Sequence, residues 1–301
     1  MPLVSMKQIL SDTGGRGYAV CYCEAWNLES LQAVLEAAEE ACSPIIAGFN
    51  GGFLAHPGRA KPEDLAYYAG MGLALREAVV PVAFLLNETD DLSQIARGIE
   101  MGFNAVMVEN ERLDQDKYQG LVKKVVEVAH RDGVSVEAAV GHLPDGSGGN
   151  HSQAQITEPE AARIFAEETG VDALAVSVGN IHILTAGKAS IDLDLLARVH
   201  DAVKVPLVLH GGSGIPLELA GSLIGLGVAK INFGTTLKQA FLAAVRDKLR
   251  EYEEPSSPHP FLGMGGEHDV MMAGRRAVKA KTTELLRLCR SAGKATKSQD
   301  R

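Results

Sequence analysis

Short apolar runs rich in β-formers alternate eight times with longer stretches of helical period, and that repetition constrains the fold more than any other feature of this chain. The strand candidates occupy residues 19–23, 44–49, 81–86, 105–108, 135–140, 173–178, 206–209 and 229–232. Helix candidates follow them at 28–41, 62–78, 92–101, 115–132, 158–169, 193–202, 217–226 and 235–249. Strands separated by helices pair in parallel, so eight such units in 301 residues predict one α/β domain, a (β/α)8 TIM barrel over 1–301. Gly102, Gly133, Gly170 and Gly227 each precede a strand candidate, where a helix end needs left-handed backbone. A further helix is expected within 272–290, making a C-terminal helical extension over about 270–292, followed by a polar tail at 293–301 that should fray. Loops 142–157 and 253–268 break the rhythm and are long enough to be lids or binding elements.

With 46% hydrophobic and 22% charged residues, the chain can bury a substantial core. A net charge of -9 and a pI of about 5.5 argue against a nucleic-acid or anionic-membrane partner, which would need a basic footprint. Cys21, Cys23, Cys42 and Cys289 lack the paired spacing of a metal knuckle, so a reduced, cytoplasmic protein is expected and Cys21-Tyr22-Cys23 reads as strand. No cationic-then-apolar start and no apolar run near ~20 residues is present, so neither a signal peptide nor a membrane span is expected.

In such barrels the C-terminal strand ends carry the chemistry. Here they deliver Glu24, Asn50-Gly51-Gly52, Asn87-Glu88, Glu109-Asn110-Glu111, Gly179-Asn180-Ile181-His182, His210 and Asn232-Phe233-Gly234-Thr235. His182, His210 and Glu88 make a two-histidine, one-carboxylate set suited to a catalytic divalent metal with an open position. Glu88 has a second reading, in which it joins Asp90 and Asp91 in capping the next helix. His56, His130, His200, His259 and His268 are expected to be packing residues. Loops after the last two barrel strands commonly bind phosphate with a helix N-terminus, so Gly211, Gly212 and Ser213 form one candidate wall and Asn232, Gly234 and Thr235 the other. Thr235 is also a plausible helix N-cap.

These residues resemble the class II, metal-dependent ketose-bisphosphate aldolases of the fructose- and tagatose-bisphosphate group. The similarity runs from Pro2-Leu3-Val4-Ser5 through the helix from Leu28 and Thr169-Gly170-Val171-Asp172 to Ser291-Ala292-Gly293-Lys294-Ala295. Its most specific pieces are Leu209-His210-Gly211-Gly212-Ser213-Gly214 and Lys230-Ile231-Asn232. The resemblance implies a zinc that polarises a ketose carbonyl and stabilises the enediolate, with His182 and His210 as two ligands. It implies that Gly211, Ser213, Asn232 and Thr235 bind the phosphate near the carbonyl of a small phosphorylated sugar-like substrate. It also implies a homo-dimer or homo-tetramer in which Arg275 reaches the distal phosphate from a partner subunit.

Several positions depart from the family's pattern. Asn87-Glu88 stands in place of an Asp-His pair, and an amide cannot titrate as the Asp does. Glu88 would replace an imidazole by oxygen, a harder ligand favouring manganese, cobalt or iron over zinc. Glu24 stands for an Asn, Asn50 for a Ser, Ile183 and Gly234 for a phosphate-contacting Gly and an Asp, and Ala139 for a carboxylate. Loop 142–157 retains Asp145 in place of an acidic pair. The leading expectation is an aldolase-like lyase with Glu24, Asn87 and Glu88 as its candidate catalytic residues; the alternative is a non-catalytic or repurposed sugar-phosphate-binding protein.

Overall fold

The computed structural model describes residues 3–109, 113–146 and 155–295. Strands β1 (Val20–Glu24), β2 (Ile45–Asn50), β3 (Val82–Thr89), β4 (Ala105–Val108), β5 (Ser135–Val140), β6 (Ala173–Val176), β7 (Leu207–Leu209) and β8 (Val228–Phe233) form a closed barrel in chain order. Every pair is parallel, and β8 returns to β1 with Asn232 opposite Tyr22. Burial on both faces explains why these strands read as continuous apolar runs.

The helices are α1 (Met6–Ser11), α2 (Thr13–Arg16), α3 (Leu28–Glu40), α4 (Gly51–Leu54), α5 (Leu65–Gly72), α6 (Leu92–Glu100), α7 (Gln115–Arg131), α8 (Pro159–Thr169), α9 (Leu193–Ala202), α10 (Ala220–Gly225), α11 (Thr235–Leu249) and α12 (Val270–Leu288). Asn27, Asp64, Asp91, Asp114, Asp192 and Asp269 start their helices by accepting from backbone N–H groups of the first turn. Gly102, Gly133, Gly170 and Gly227 are all left-handed, as the punctuation before each strand requires. The core has two layers. Ala83, Leu85, Ala105, Met107, Ala173, Ala175 and Val208 fill the barrel, closed from below by Met6, Ile9, Leu10 and Tyr18, while a larger layer lies between strands and helices.

Three expectations need correction. The helix expected over 62–78 is shorter, because Asp64 caps at Leu65 and the glycine-containing end at Gly72 tightens into a 3-10 turn, Leu73–Glu77. Helix 217–226 likewise divides into a 3-10 turn, Leu217–Leu219, and α10. The polar tail does not fray at 293: Ser291 is buried on Ser43, and the N–H groups of Gly293 and Ala295 donate to the carbonyls of Ala41 and Cys42. Residues 296–301 lie outside the described residues. All four cysteines are free thiols, and no helix among the described residues is long and apolar enough to cross a membrane.

Candidate metal and phosphate site

A break in strand register builds the first half of the site. Between Leu86 and Thr89, β3 runs three residues while β4 runs two, from Val106 to Val108. The extra residue is a bulge, and Glu88 within it takes a left-handed φ of 52°. A regular strand would turn Asn87 and Glu88 to opposite faces; here both line one cavity of about 710 Å³ at the C-terminal mouth of the barrel. A carboxylate residue held in left-handed backbone costs on the order of 1–3 kcal/mol, a strain characteristic of functional positions.

Glu88 faces both histidines that the sequence singled out. Its Oε1 lies 3.4 Å from His182 Nε2 and 3.5 Å from His210 Nδ1, and the three side chains can offer ligand atoms within 4.8 Å of one another. Burial opposes ionisation of Glu88, but His182 and His210 outweigh it and hold the carboxyl well below its usual range. Asn87 Nδ2 donates to Glu88 Oε1 at 2.7 Å, and Asn50 Nδ2 donates to Oε2. The capping alternative for Glu88 falls away, because Asp91 caps α6.

His210 is positioned from behind by a group the sequence reading missed. Its Nε2 lies 2.9 Å from Glu137 Oε1; a carboxylate only accepts, so Nε2 carries a hydrogen, and Nδ1 faces Glu88. Lys230 Nζ forms an ion pair with Glu137 Oε2 at 2.8 Å, and both side chains are fully buried. Burial penalises the Glu137 carboxylate, but Lys230 and His210 prevail and lower its pKa; at Lys230 burial prevails and lowers the ammonium's. Burial likewise opposes charge on His210, yet Glu137 and Glu88 raise its pKa. Ala139 is indeed no carboxylate, but Glu137 supplies one two residues earlier on the same strand. The available signal was a lone charge inside each of two apolar strands, since a buried charge needs a partner.

Backbone pairing fixes His182. Its N–H donates to the Pro144 carbonyl, and its own carbonyl accepts from Gly146 N. Ile183 takes a left-handed φ of 50° despite its branched side chain. Buried Asn180 binds the carbonyls of Val176 and His210, tying the ends of β6 and β7 together.

The second half lies after β7 and β8. Gly211 is left-handed at φ 69°, and Ser213 Oγ accepts from Thr236 N at 3.1 Å, joining the two turns. Gly211, Ser213, Asn232, Gly234 and Thr235 line the cavity. Gly212 does not. It is buried where a Cβ would meet the Asn232 carbonyl at 2.7 Å, so packing demands that glycine. Thr235 is the first helical residue and Gly234 occupies the cap position, which corrects the N-cap reading of Thr235.

Glu24 fills the space above Gly234, where a Cβ would come within 2.3 Å of its Oε2. Its Oε1 accepts from Lys238 Nζ at 2.6 Å, and burial raises its pKa against the opposing pull of Lys238. His56, expected as a packing residue, lines the cavity mouth with Asp145 and Glu109. Arg275 is not in its own chain's cavity lining; it donates to Gln32 Oε1 at 2.7 Å and pairs with Glu36 on α3. Asn110 and Glu111 lie outside the described residues.

The family model described as fructose-bisphosphate aldolase class-II matches residues 4–294. The chain belongs to the class II fructose-bisphosphate aldolase family. A relative named fructose-bisphosphate aldolase from Thermus caldophilus is 36% identical, covering 97% of this chain and all of that protein. The YdjI protein of Escherichia coli K12 is 35% identical over 95% of this chain and 96% of its own length. The crystal structure of the YdjI aldolase superposes with a TM-score of 0.80 at 31% identity, covering 98% of this chain and all of that one. The fructose-bisphosphate aldolase structure from Campylobacter jejuni, at 21% identity and a TM-score of 0.76 over 97% of both chains, shares the fold. Class II aldolases use a divalent metal, and Glu88, His182 and His210 offer a donor set of the right size and chemistry for one.

Proposed function

We propose that this protein is a divalent-metal-dependent aldolase-like lyase that cleaves or forms a carbon–carbon bond in a phosphorylated ketose or related carbonyl substrate. The observation that carries this reading is the Glu88–His182–His210 cluster beside the Gly211–Ser213 and Asn232–Thr235 wall in one cavity. A divalent cation bound there would supply positive charge opposite the oxygen that becomes anionic when a ketose carbon–carbon bond breaks. Two imidazoles and one carboxylate suit zinc, and the oxygen donor also suits manganese, cobalt or iron.

The chain's own residues divide the remaining work. Asn87 holds Glu88 and cannot exchange a proton, so the family's acid/base function must lie elsewhere. Glu88 already accepts hydrogen bonds on both oxygens and serves as a ligand. Glu24, a carboxyl at the end of β1 whose pKa is raised by burial, is the proton acceptor and donor at the substrate hydroxyl, with Lys238 steadying it. The N–H groups around Gly211 and the start of α11 receive phosphate, helped by the helix dipole. The active form is a homo-dimer or homo-tetramer, with Arg275 directed to a partner's distal phosphate.

The test is metal analysis of protein purified without chelators, together with retro-aldol assays on fructose and tagatose bisphosphates and other phosphorylated ketoses. Bound metal at about one per chain, and turnover lost on His210→Ala, are expected. Absence of bound ion with no rescue by zinc, manganese or cobalt would exclude the reading. Asn87→Asp combined with Glu88→His should raise bisphosphate cleavage if the pocket keeps the family's shape.

A further inference from the structure

Among the described residues, three buried polar atoms on the cavity lining have no hydrogen-bond partner: Tyr22 Oη, Asn87 Oδ1 and Asn232 Nδ2. Their residues are 2%, 1% and 7% exposed. Orphaned polar groups buried to this degree are rare in native proteins, and each is free to pair with a bound molecule. Their arrangement is enforced. Tyr22 and Asn232 are register partners on β1 and β8. Lys230 Nζ lies 5.0 Å from the Tyr22 ring centroid and donates to Asn232 Oδ1 at 2.7 Å, which leaves the Asn232 N–H2 as the unused end of that amide. Asn87 Nδ2 is committed to Glu88, which leaves its carbonyl oxygen unused. The orphan set is therefore a phenol, an amide donor and an amide acceptor, all uncharged, on the lining of the cavity that also holds Glu88 of the metal cluster.

We propose that Tyr22 is a specificity-determining residue, its phenol donating to a hydroxyl oxygen on the phosphorylated half of the substrate at a subsite shared with Asn87 and Asn232. The assignment rests on the ketose-phosphate reading above. A neutral donor–acceptor set suits a hydroxyl, which both accepts and donates, whereas a phosphate or carboxylate would meet the lone pair of Asn87. Burial and the carboxylates of Glu24 and Glu88 hold the phenol well above its usual pKa, so it remains a donor across the physiological range. A subsite built around a hydroxyl also rejects the deoxy analogue, because the analogue leaves these atoms unpaired.

The experiment compares metal-loaded wild type and Tyr22→Phe by calorimetric titration with dihydroxyacetone phosphate and with hydroxyacetone phosphate, which lacks the hydroxyl. Wild type should bind the hydroxylated ketone about tenfold more tightly, and Tyr22→Phe should lose that preference while keeping its melting temperature. Equal discrimination by the two proteins would overturn the assignment. If wild type binds neither phosphate, the ketose-phosphate reading has failed, and saturation-transfer NMR with neutral dihydroxyacetone decides the subsite alone. A signal in wild type that vanishes in Tyr22→Phe supports it, and the same signal in both proteins, or none in either, overturns it.

Discussion

At the level of single residues, Glu137 and Lys230 form a charge pair with no access to water, and its energetics favour keeping both or neither. Removing one member leaves the other buried and uncompensated, which costs about 3–5 kcal/mol. Lys230→Met should therefore destabilise the protein by roughly that amount in chemical denaturation, because Glu137 retains only His210. Glu137→Gln combined with Lys230→Met should recover much of the loss, and a double-mutant cycle measures the coupling. The same pair explains what the sequence made legible at the site. His182, His210 and Glu88 were visible because strand-end residues of a barrel face its mouth. Glu137 and Tyr22 were not, because each sits within an apolar strand and its orientation depends on which alternate residues face inward. Periodicity cannot fix that parity when both faces are buried.

At the level of elements, the turn between β7 and α10 holds the two halves of the site together. Gly211 is left-handed, and a Cβ there would stand 2.1 Å from the Ile181 carbonyl oxygen, a backbone atom that cannot swing aside. Gly211→Ala thus combines backbone strain with a clash against the segment carrying His182, and a loss of about 3 kcal/mol or more is expected. Thermal unfolding would measure it, and metal content should fall with it, since Ile181 adjoins the ligand. This turn was readable from its glycines. The β3 bulge was not, although it decides that Asn87 and Glu88 share a cavity: a one-residue mismatch between neighbouring strands is a property of the pair and leaves no periodic trace in either. The eight strands and most helices were legible for the opposite reason, since each carries its own apolar pattern and many of the helices their own capping residue.

At the level of the whole molecule, the reading of Arg275 requires a second copy. Within one chain its guanidinium rests on Gln32 and Glu36 at the surface of α3, and a partly exposed pair of this kind contributes about 0–1 kcal/mol. Leaving it for a phosphate is therefore inexpensive, and a bidentate phosphate contact would exceed it. Exposed Leu242, Leu249, Leu262 and Met264 on α11 and the following loop give a second copy apolar surface to cover. Light scattering should accordingly give a dimer or tetramer mass. Arg275→Ala should keep that mass and lose less than about 1 kcal/mol of stability. Its KM for a bisphosphorylated ketose should rise by roughly tenfold, with little change for a monophosphorylated one. A monomeric mass, or an equal effect on both substrates, would assign Arg275 to the α3 surface alone.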